Sequence, residues 1–209
     1  MIVAMNVITR LACAAAVLGA CGSPSVKHMT QQEMIAADPL PLAKGATWTY
    51  NVTIRRFEVD AEKETTRTLT WVTEVVDAKA AGGVTAYQVK GWPDDLADLE
   101  APAAHQTTIL RSGNSFLFGA TPEPTLDGAD GWFSWPVVDG QRICPNKMVY
   151  CWQVSAIDTG YALTFATGPD EKTFELEPGT GVSRFHYVHH GTTNEVEARL
   201  VSYTKGGNH

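Results

Sequence analysis

The chain has 209 residues, with 16 Lys and Arg against 23 Asp and Glu and a formal net charge of −7. No more than two basic residues stand together, at Arg55-Arg56. Neither nucleic-acid binding, which rests on neutralising phosphates, nor electrostatic docking on anionic head groups is therefore expected. The length fits one domain able to bury a core.

In chain order, a single cation, Arg10, precedes an apolar run from Leu11 to Leu18 made of Ala, Val, Leu and Cys. The run is shorter than the about 20 apolar residues of a membrane-spanning helix. A small-residue site follows it, as in a secretory signal. Leu18-Gly19-Ala20-Cys21 resembles a lipobox, in which small residues precede a cysteine that is acylated and becomes the new N-terminus. The alternatives are an uncleaved buried helix and a cut at Ala14-Ala15-Ala16. That cut would leave only Leu11 to Cys13 as the apolar core of the signal. On the lipobox reading, residues 1–20 are the signal peptide, 21–39 are the lipidated Cys21 and a flexible tether, and 40–205 are the folded domain. From Cys21 to Leu40 the tether spans at most roughly 65 Å, at ~3.3–3.6 Å per residue. Several acyl chains, unlike one, hold a protein stably on a membrane. The expected address is thus the bacterial cell envelope. Gly22 rather than Asp after the cysteine resembles outer-membrane lipoproteins that face the periplasm.

From Thr47 onward, apolar and polar residues alternate with the period of a half-buried strand. Trp48, Tyr50, Val52 and Ile54 alternate with Thr49, Asn51, Thr53 and Arg55. Further strands are predicted over 66–77, 84–90, 106–111, 114–119, 148–156, 160–167, 172–177, 182–190 and 195–204, with turn residues such as Gly82-Gly83 and Gly113-Asn114 between them. The expected fold is all-β, a single domain of about ten antiparallel strands in a curved sheet or barrel-like meander with little helix. The two helix candidates are Asp94 to Ala101 and Gln31 to Ala37. Two segments interrupt the meander, the acidic 91–105 and the Pro/Gly-rich 120–147 with Trp132, Phe133 and Trp135. They are expected to cap the open ends of the sheet, with the tryptophans plugging its core, although long loops are also common seats of function. Pro41-Leu42-Ala43-Lys44-Gly45 and Pro136-Val137-Val138-Asp139-Gly140 share a pattern ahead of strands that carry Trp48 and Trp152. They are read as a common way of starting a strand, or as a trace of two duplicated halves.

Of the four cysteines, Cys13 leaves with the signal and Cys21 is acylated. Cys144 and Cys151 then pair as a structural disulfide in an oxidising compartment, closing a hairpin whose turn is Pro145-Asn146-Lys147. Six intervening residues are too many for a Cys-x-x-Cys redox motif.

Catalytic and phosphate-binding motifs are absent: there is no Gly-x-Ser-x-Gly, no phosphate-cradling glycine loop and no His-Glu-x-x-His. Asp127-Gly128-Ala129-Asp130-Gly131 lacks the alternating oxygen ligands of a calcium loop. His186, His189 and His190 crowd one predicted strand and form the candidate functional cluster. Strand alternation puts His186 and His190 on one face and His189 on the other. His186 and His190 lie about 13 Å apart at ~3.3 Å per residue, too far to share a zinc ion unless the strand bends. No metal and no cofactor is expected. Asp94, Asp95, Asp98 and Glu100 could supply carboxylates for glycan hydrolysis, which requires one of them to have a raised pKa.

Pro41-Leu42-x-x-Gly45-x-x-Trp48-x-Tyr50 resembles the opening of a family of uncharacterised exported bacterial lipoproteins. Pro178-Gly179-x-Gly181-Val182, followed by Tyr187-x-His189-His190-Gly191-Thr192, is similar to their closing strands. The resemblance implies an antiparallel β lipoprotein domain and assigns it no activity. The expected function is that of a membrane-anchored, non-enzymatic envelope lipoprotein that binds a ligand or protein partner. One alternative is an acyl-chain carrier of half-barrel type, with an apolar interior pocket lined by tryptophans. The other is a hydrolase of glycans.

Overall fold

The computed structural model describes residues 29–58, 62–145, 149–191 and 194–207. The lipobox with Cys21, and the turn residues Asn146 and Lys147, lie outside the described residues. Among those described, twelve antiparallel strands form one sheet. They are β1 (Thr47–Glu58), β2 (Lys63–Ala81), β3 (Val84–Lys90), β4 (Gln106–Ser112), β5 (Ser115–Gly119) and β6 (Asp130–Ser134). They continue with β7 (Arg142–Ile143), β8 (Trp152–Ile157), β9 (Gly160–Ala166), β10 (Asp170–Glu177), β11 (Gly181–His189) and β12 (Asn194–Thr204). Each strand pairs with its sequence neighbour, β1 also pairs with β12, and β6 and β7 are the edges. The sheet is thus two six-strand meanders joined along β1 and β12, curled into a nearly closed barrel.

The expected all-β class holds, with two strands more than the pattern gave. Both extra strands, β6 and β7, fall in the segment 120–147 that was expected to be irregular. They are five and two residues long, too short to display a period. The strand expected from residue 148 begins at Trp152, because the preceding residues belong to the disulfide loop. The helix expected over Asp94 to Ala101 is a 3-10 helix, Pro93–Ala97. It stops where the Asp98 carboxylate accepts the N–H groups of Glu100 and Ala101.

The alternation in β1 does what its period implies: Trp48, Tyr50, Val52 and Ile54 are buried, while Asn51 and Arg55 are exposed. Removal of this apolar surface from water drives the curl, at about 25 cal/mol per Å². The interior is filled by aromatic rings around Trp132, which is 0% exposed. Its ring lies 4.7 Å from Phe133, 5.2 Å from Phe118, 5.4 Å from Phe174, 5.6 Å from Trp92 and 6.2 Å from Trp152. The tryptophans of the interrupting segments therefore plug the core.

Antiparallel order sorts the connections by end. Odd-to-even connections, including residues 91–105, 120–129 and the disulfide loop, gather at one end. The even-to-odd turns and the start of β1 gather at the other, the N-terminal end. There Leu40 and Leu42 are buried, and Trp48 Nε1 donates to the Thr180 carbonyl at 2.6 Å.

The helix expected near Gln31 forms as α1 (Gln31–Ala36), capped reciprocally by Thr30 and Glu33. It is not a free tether. Trp135 Nε1 donates to the Ile35 carbonyl at 2.9 Å, and Arg111 pairs with Asp38. Among the described residues, the chain is thus docked from α1 onward and not only from Leu40.

The five-residue echo has a structural counterpart. Gly45 N donates to Val75 O, Val75 N to Ala46 O and Ala46 N to Ala43 O. Gly140 N donates to Val154 O, Val154 N to Gln141 O and Gln141 N to Val138 O. In each meander two of the three bonds tie its start to its second strand, β2 or β8, and the third closes a turn within the start itself. The two tryptophans are not equivalent, since Trp48 lies on β1 and Trp152 on β8.

Candidate functional site

The end opposite α1 holds an open cleft of about 390 Å³. The connection after β3 supplies Trp92, Asp94 and Asp95, the start of β6 supplies Asp130, and β8, β9 and β10 supply Trp152, Phe165 and Lys172. Phe118 and Pro145 complete the apolar wall.

Gly91 sets the turn into this lining. Its φ is +69°, a conformation that a side chain rarely adopts, and an added Cβ would stand 2.5 Å from the Val72 carbonyl oxygen. Its own carbonyl accepts from Trp71 Nε1 at 2.8 Å and Thr73 Oγ1 at 2.5 Å. The backbone thereby turns inward at Trp92, which stacks on Phe174 at 5.7 Å. The indole N–H groups of Trp92 and Trp132 have no hydrogen-bond partner among the described residues. The two rings meet edge to face, interplanar angle 87°, an arrangement that favours aromatic pairs beyond their buried area.

Among the described residues of the lining, Lys172 is the cation. Its Nζ donates to both Asp94 oxygens, at 2.8 and 3.0 Å. It also lies 5.9 Å from the Trp152 ring centre and 6.0 Å from that of Phe165, within cation–π range. Asp95 accepts the backbone N–H of His105 at 2.9 Å, and His105 Nδ1 stands 3.4 Å from its other oxygen. Burial pushes the Asp95 carboxyl above its ordinary pKa, against the hydrogen bonds from His105.

A second hollow of about 300 Å³ shares Asp94, Phe165 and Lys172 and adds Asp170 and Tyr187. Tyr187 OH donates to Asp170 Oδ1 at 2.7 Å, and His189 Nδ1 lies 2.8 Å from the same oxygen. These two bonds hold the Asp170 carboxyl below its ordinary pKa. Burial, and then Asp170, push the Tyr187 hydroxyl up to about 12.

The three histidines do not form one cluster. His189 faces Asp170 at the cleft end, as strand alternation requires of a residue opposed to His186 and His190. His190 lies 3.8 Å from Glu171 on the outer face. His186 Nε2 lies 2.9 Å from Glu195. His186, Glu195 and Glu197 place one ligand atom each within 4.8 Å of one another, a donor set that suits a metal ion. Guanidinium groups hold both carboxylates. Arg184 binds both Glu197 oxygens, at 2.7 and 2.8 Å, Arg199 adds a second cation to Glu197, and Arg55 binds Glu195 at 3.0 Å.

Of the four acidic candidates, Asp94 and Asp95 line the cleft. Asp98 ends the 3-10 helix, and Glu100 pairs with Arg56 outside the cleft. Asp130, noticed in the sequence only as part of a poor calcium loop, is a third carboxylate of the lining. Lys172, Trp152 and Phe165 carried no signal as site residues, because each sits at an ordinary inward strand position. Cys144 and Cys151 are joined by a disulfide, and Pro145 within that loop borders the cleft.

No family model and no curated protein matches the chain. Two solved structures are similar. One is a presumed exported protein of Bacteroides fragilis described as having a YMCC-like fold, with 13% identity and a TM-score of 0.44 over 81% of this chain and 100% of its own. The other is a presumed lipoprotein of Parabacteroides distasonis, with 6% identity and a TM-score of 0.45 over 80% of this chain and 99% of its own.

Proposed function

We propose that this chain is a membrane-anchored envelope lipoprotein, acylated at Cys21, whose barrel binds a small ligand in the cleft at the end remote from its anchor. One observation carries the reading. The segment that leads back to Cys21 is pinned at the N-terminal end, where Gly179 N donates to the Asp38 carbonyl at 2.7 Å. The open cleft lies at the opposite end. An anchor at the one end and a pocket at the other suit a receptor that stands on a membrane and samples the compartment above it. The cleft is within the usual size of ligand pockets and combines aromatic walls with a few charged groups, as such pockets do. No catalysis is required of it. Envelope fractionation tests the anchor: the wild-type chain is expected with the membranes and Cys21→Ser in the soluble fraction. Native mass spectrometry of Cys21→Ser tests the pocket, and a bound small molecule lost on Phe165→Ala is the expected result.

The acyl-chain carrier receives less support, because aromatic rings occupy the barrel interior where a chain would lie. Glycan hydrolysis has one observation in its favour: burial raises the pKa of Asp95, the direction a general acid needs, and Asp95 shares its cleft with Asp130. A panel of nitrophenyl glycosides separates the two. Turnover that Asp95→Asn abolishes would make the cleft an active site.

A further inference from the structure

We infer that the cleft recognises an alkylammonium group on a small, free ligand, an inference that rests on the reading of this cleft as the ligand site. Three observations converge on this chemistry. The first is charge. Among the described residues, Asp94, Asp95 and Asp130 line the cleft and Asp170 lines the adjoining hollow, and the ammonium there is that of Lys172. The two histidines nearby, His105 and His189, are each engaged by one of these carboxylates. An anion entering here would meet these carboxylates, and the Lys172 ammonium is already bonded to both oxygens of Asp94.

The second observation is the wall. Trp92, Phe118, Trp152 and Phe165 give one side of the cleft an apolar lining. Ring faces favour a cation, and Trp152 and Phe165 stand within that range of the Lys172 ammonium; charge interactions beside such a wall are screened less than in water.

The third observation is that the protein already places an ammonium in this setting. Lys172 Nζ makes two hydrogen bonds to Asp94 and lies about equally far from the Trp152 and Phe165 rings. The lysine shows what the cleft stabilises, and it competes for the same groups. A ligand ammonium would share or displace that position, and its alkyl part would lie along Phe118 and Trp92 in the open volume. Lys172 thus limits affinity for cations and keeps the cleft selective for ligands that bring apolar contact as well as charge.

The test uses the full chain carrying Cys21→Ser and a matched series of probes: n-hexylammonium, n-hexanol and n-hexanoate. Binding is read by tryptophan fluorescence and by calorimetry at neutral pH. Hexylammonium is expected to bind about tenfold more tightly than either partner of the series. Lys172→Met keeps the apolar stem and removes the competing charge, so it should tighten hexylammonium binding several-fold. Asp95→Asn, which still accepts the His105 N–H, should weaken it. Tighter binding of hexanoate, or weaker hexylammonium binding by Lys172→Met, would overturn the ammonium assignment and leave the cleft as a ligand site. No binding of any probe would overturn both. Phosphatidylethanolamine vesicles distinguish the source of the ammonium. Binding to them without binding to hexylammonium would move the ligand from a free amine to a lipid head group and overturn the proposal.

Discussion

Gly179 donates its backbone N–H to the carbonyl of Asp38 at 2.7 Å, joining the β10–β11 turn to a segment 141 positions earlier in the sequence. With Trp135 Nε1 on the Ile35 carbonyl, this contact fixes where the chain leaves the barrel. Trp135→Phe keeps an aromatic ring at this position and removes the second bond. A single hydrogen bond of this kind contributes about 1 kcal/mol. Amide exchange over residues 31–37 is expected to accelerate about fivefold in the variant, with the barrel strands unchanged. Unaltered exchange in α1 would show that the bond does not hold the helix.

The disulfide contributes to stability and also shapes the cleft. Cys144 and Cys151 close a short loop, and on the chain-entropy model its removal costs about 2–3 kcal/mol. Cys144→Ser is expected to lower Tm by on the order of 5–10 °C. Because Pro145 borders the cleft, the same variant should weaken binding of the hexylammonium probe. A lowered Tm with unchanged binding would leave the loop a purely structural clasp.

Asp95 gives a pH signature. Its carboxyl is held above the ordinary value by burial, so the folded chain keeps this proton to higher pH than the unfolded chain does. Its stabilising contribution is therefore complete below the unfolded pKa, about 3.9, and is lost as pH rises through the folded value. Asp95→Asn should match the wild type in Tm near pH ~3.5 and exceed it at pH 7. Thermal melts across this range check the sign. A variant less stable at neutral pH would mean that the carboxylate is stabilised by its partners instead.

The outer-face network predicts that His186 is dispensable. Each carboxylate near it retains a guanidinium partner, so His186→Ala should change stability by less than about 1 kcal/mol. Zinc is expected to leave Tm unchanged, because binding would have to displace Arg184 and Arg199 from Glu197. A zinc-dependent rise in Tm that His186→Ala abolishes would make this group a metal centre.

The strands were legible because inward residues such as Trp48, Tyr50, Val52 and Ile54 recur with period two over many residues. Strands β6 and β7 were not. Asp130 to Ser134 contains a glycine and ends beside Trp135-Pro136, so tertiary pairing with β5 rather than local pattern makes it a strand. The cleft was legible only in part. The acidic segment that holds Asp94 and Asp95 stood out because it broke the meander. Lys172, Trp152 and Phe165 belong to three separate strands, and only the curl of the sheet brings them to one cavity. The histidine cluster illustrates the converse. Residues adjacent in sequence were separated by strand alternation, leaving His189 at the cleft end with Asp170 and sending His186 and His190 outward.

The most direct measurement is the depth of the two barrel ends at a membrane. Thr159→Cys, in the turn before β9 at the N-terminal end, and Ala166→Cys, at the last residue of β9, place a fluorophore at opposite ends of one strand. The full-length acylated chain would be reconstituted in vesicles that carry a quencher on the lipid head groups. Stronger quenching at position 159 than at 166 is the expected result, with both signals released by Cys21→Ser. Quenching at 166 equal to or stronger than that at 159 would contradict a barrel that stands on its N-terminal end with its cleft turned away from the membrane.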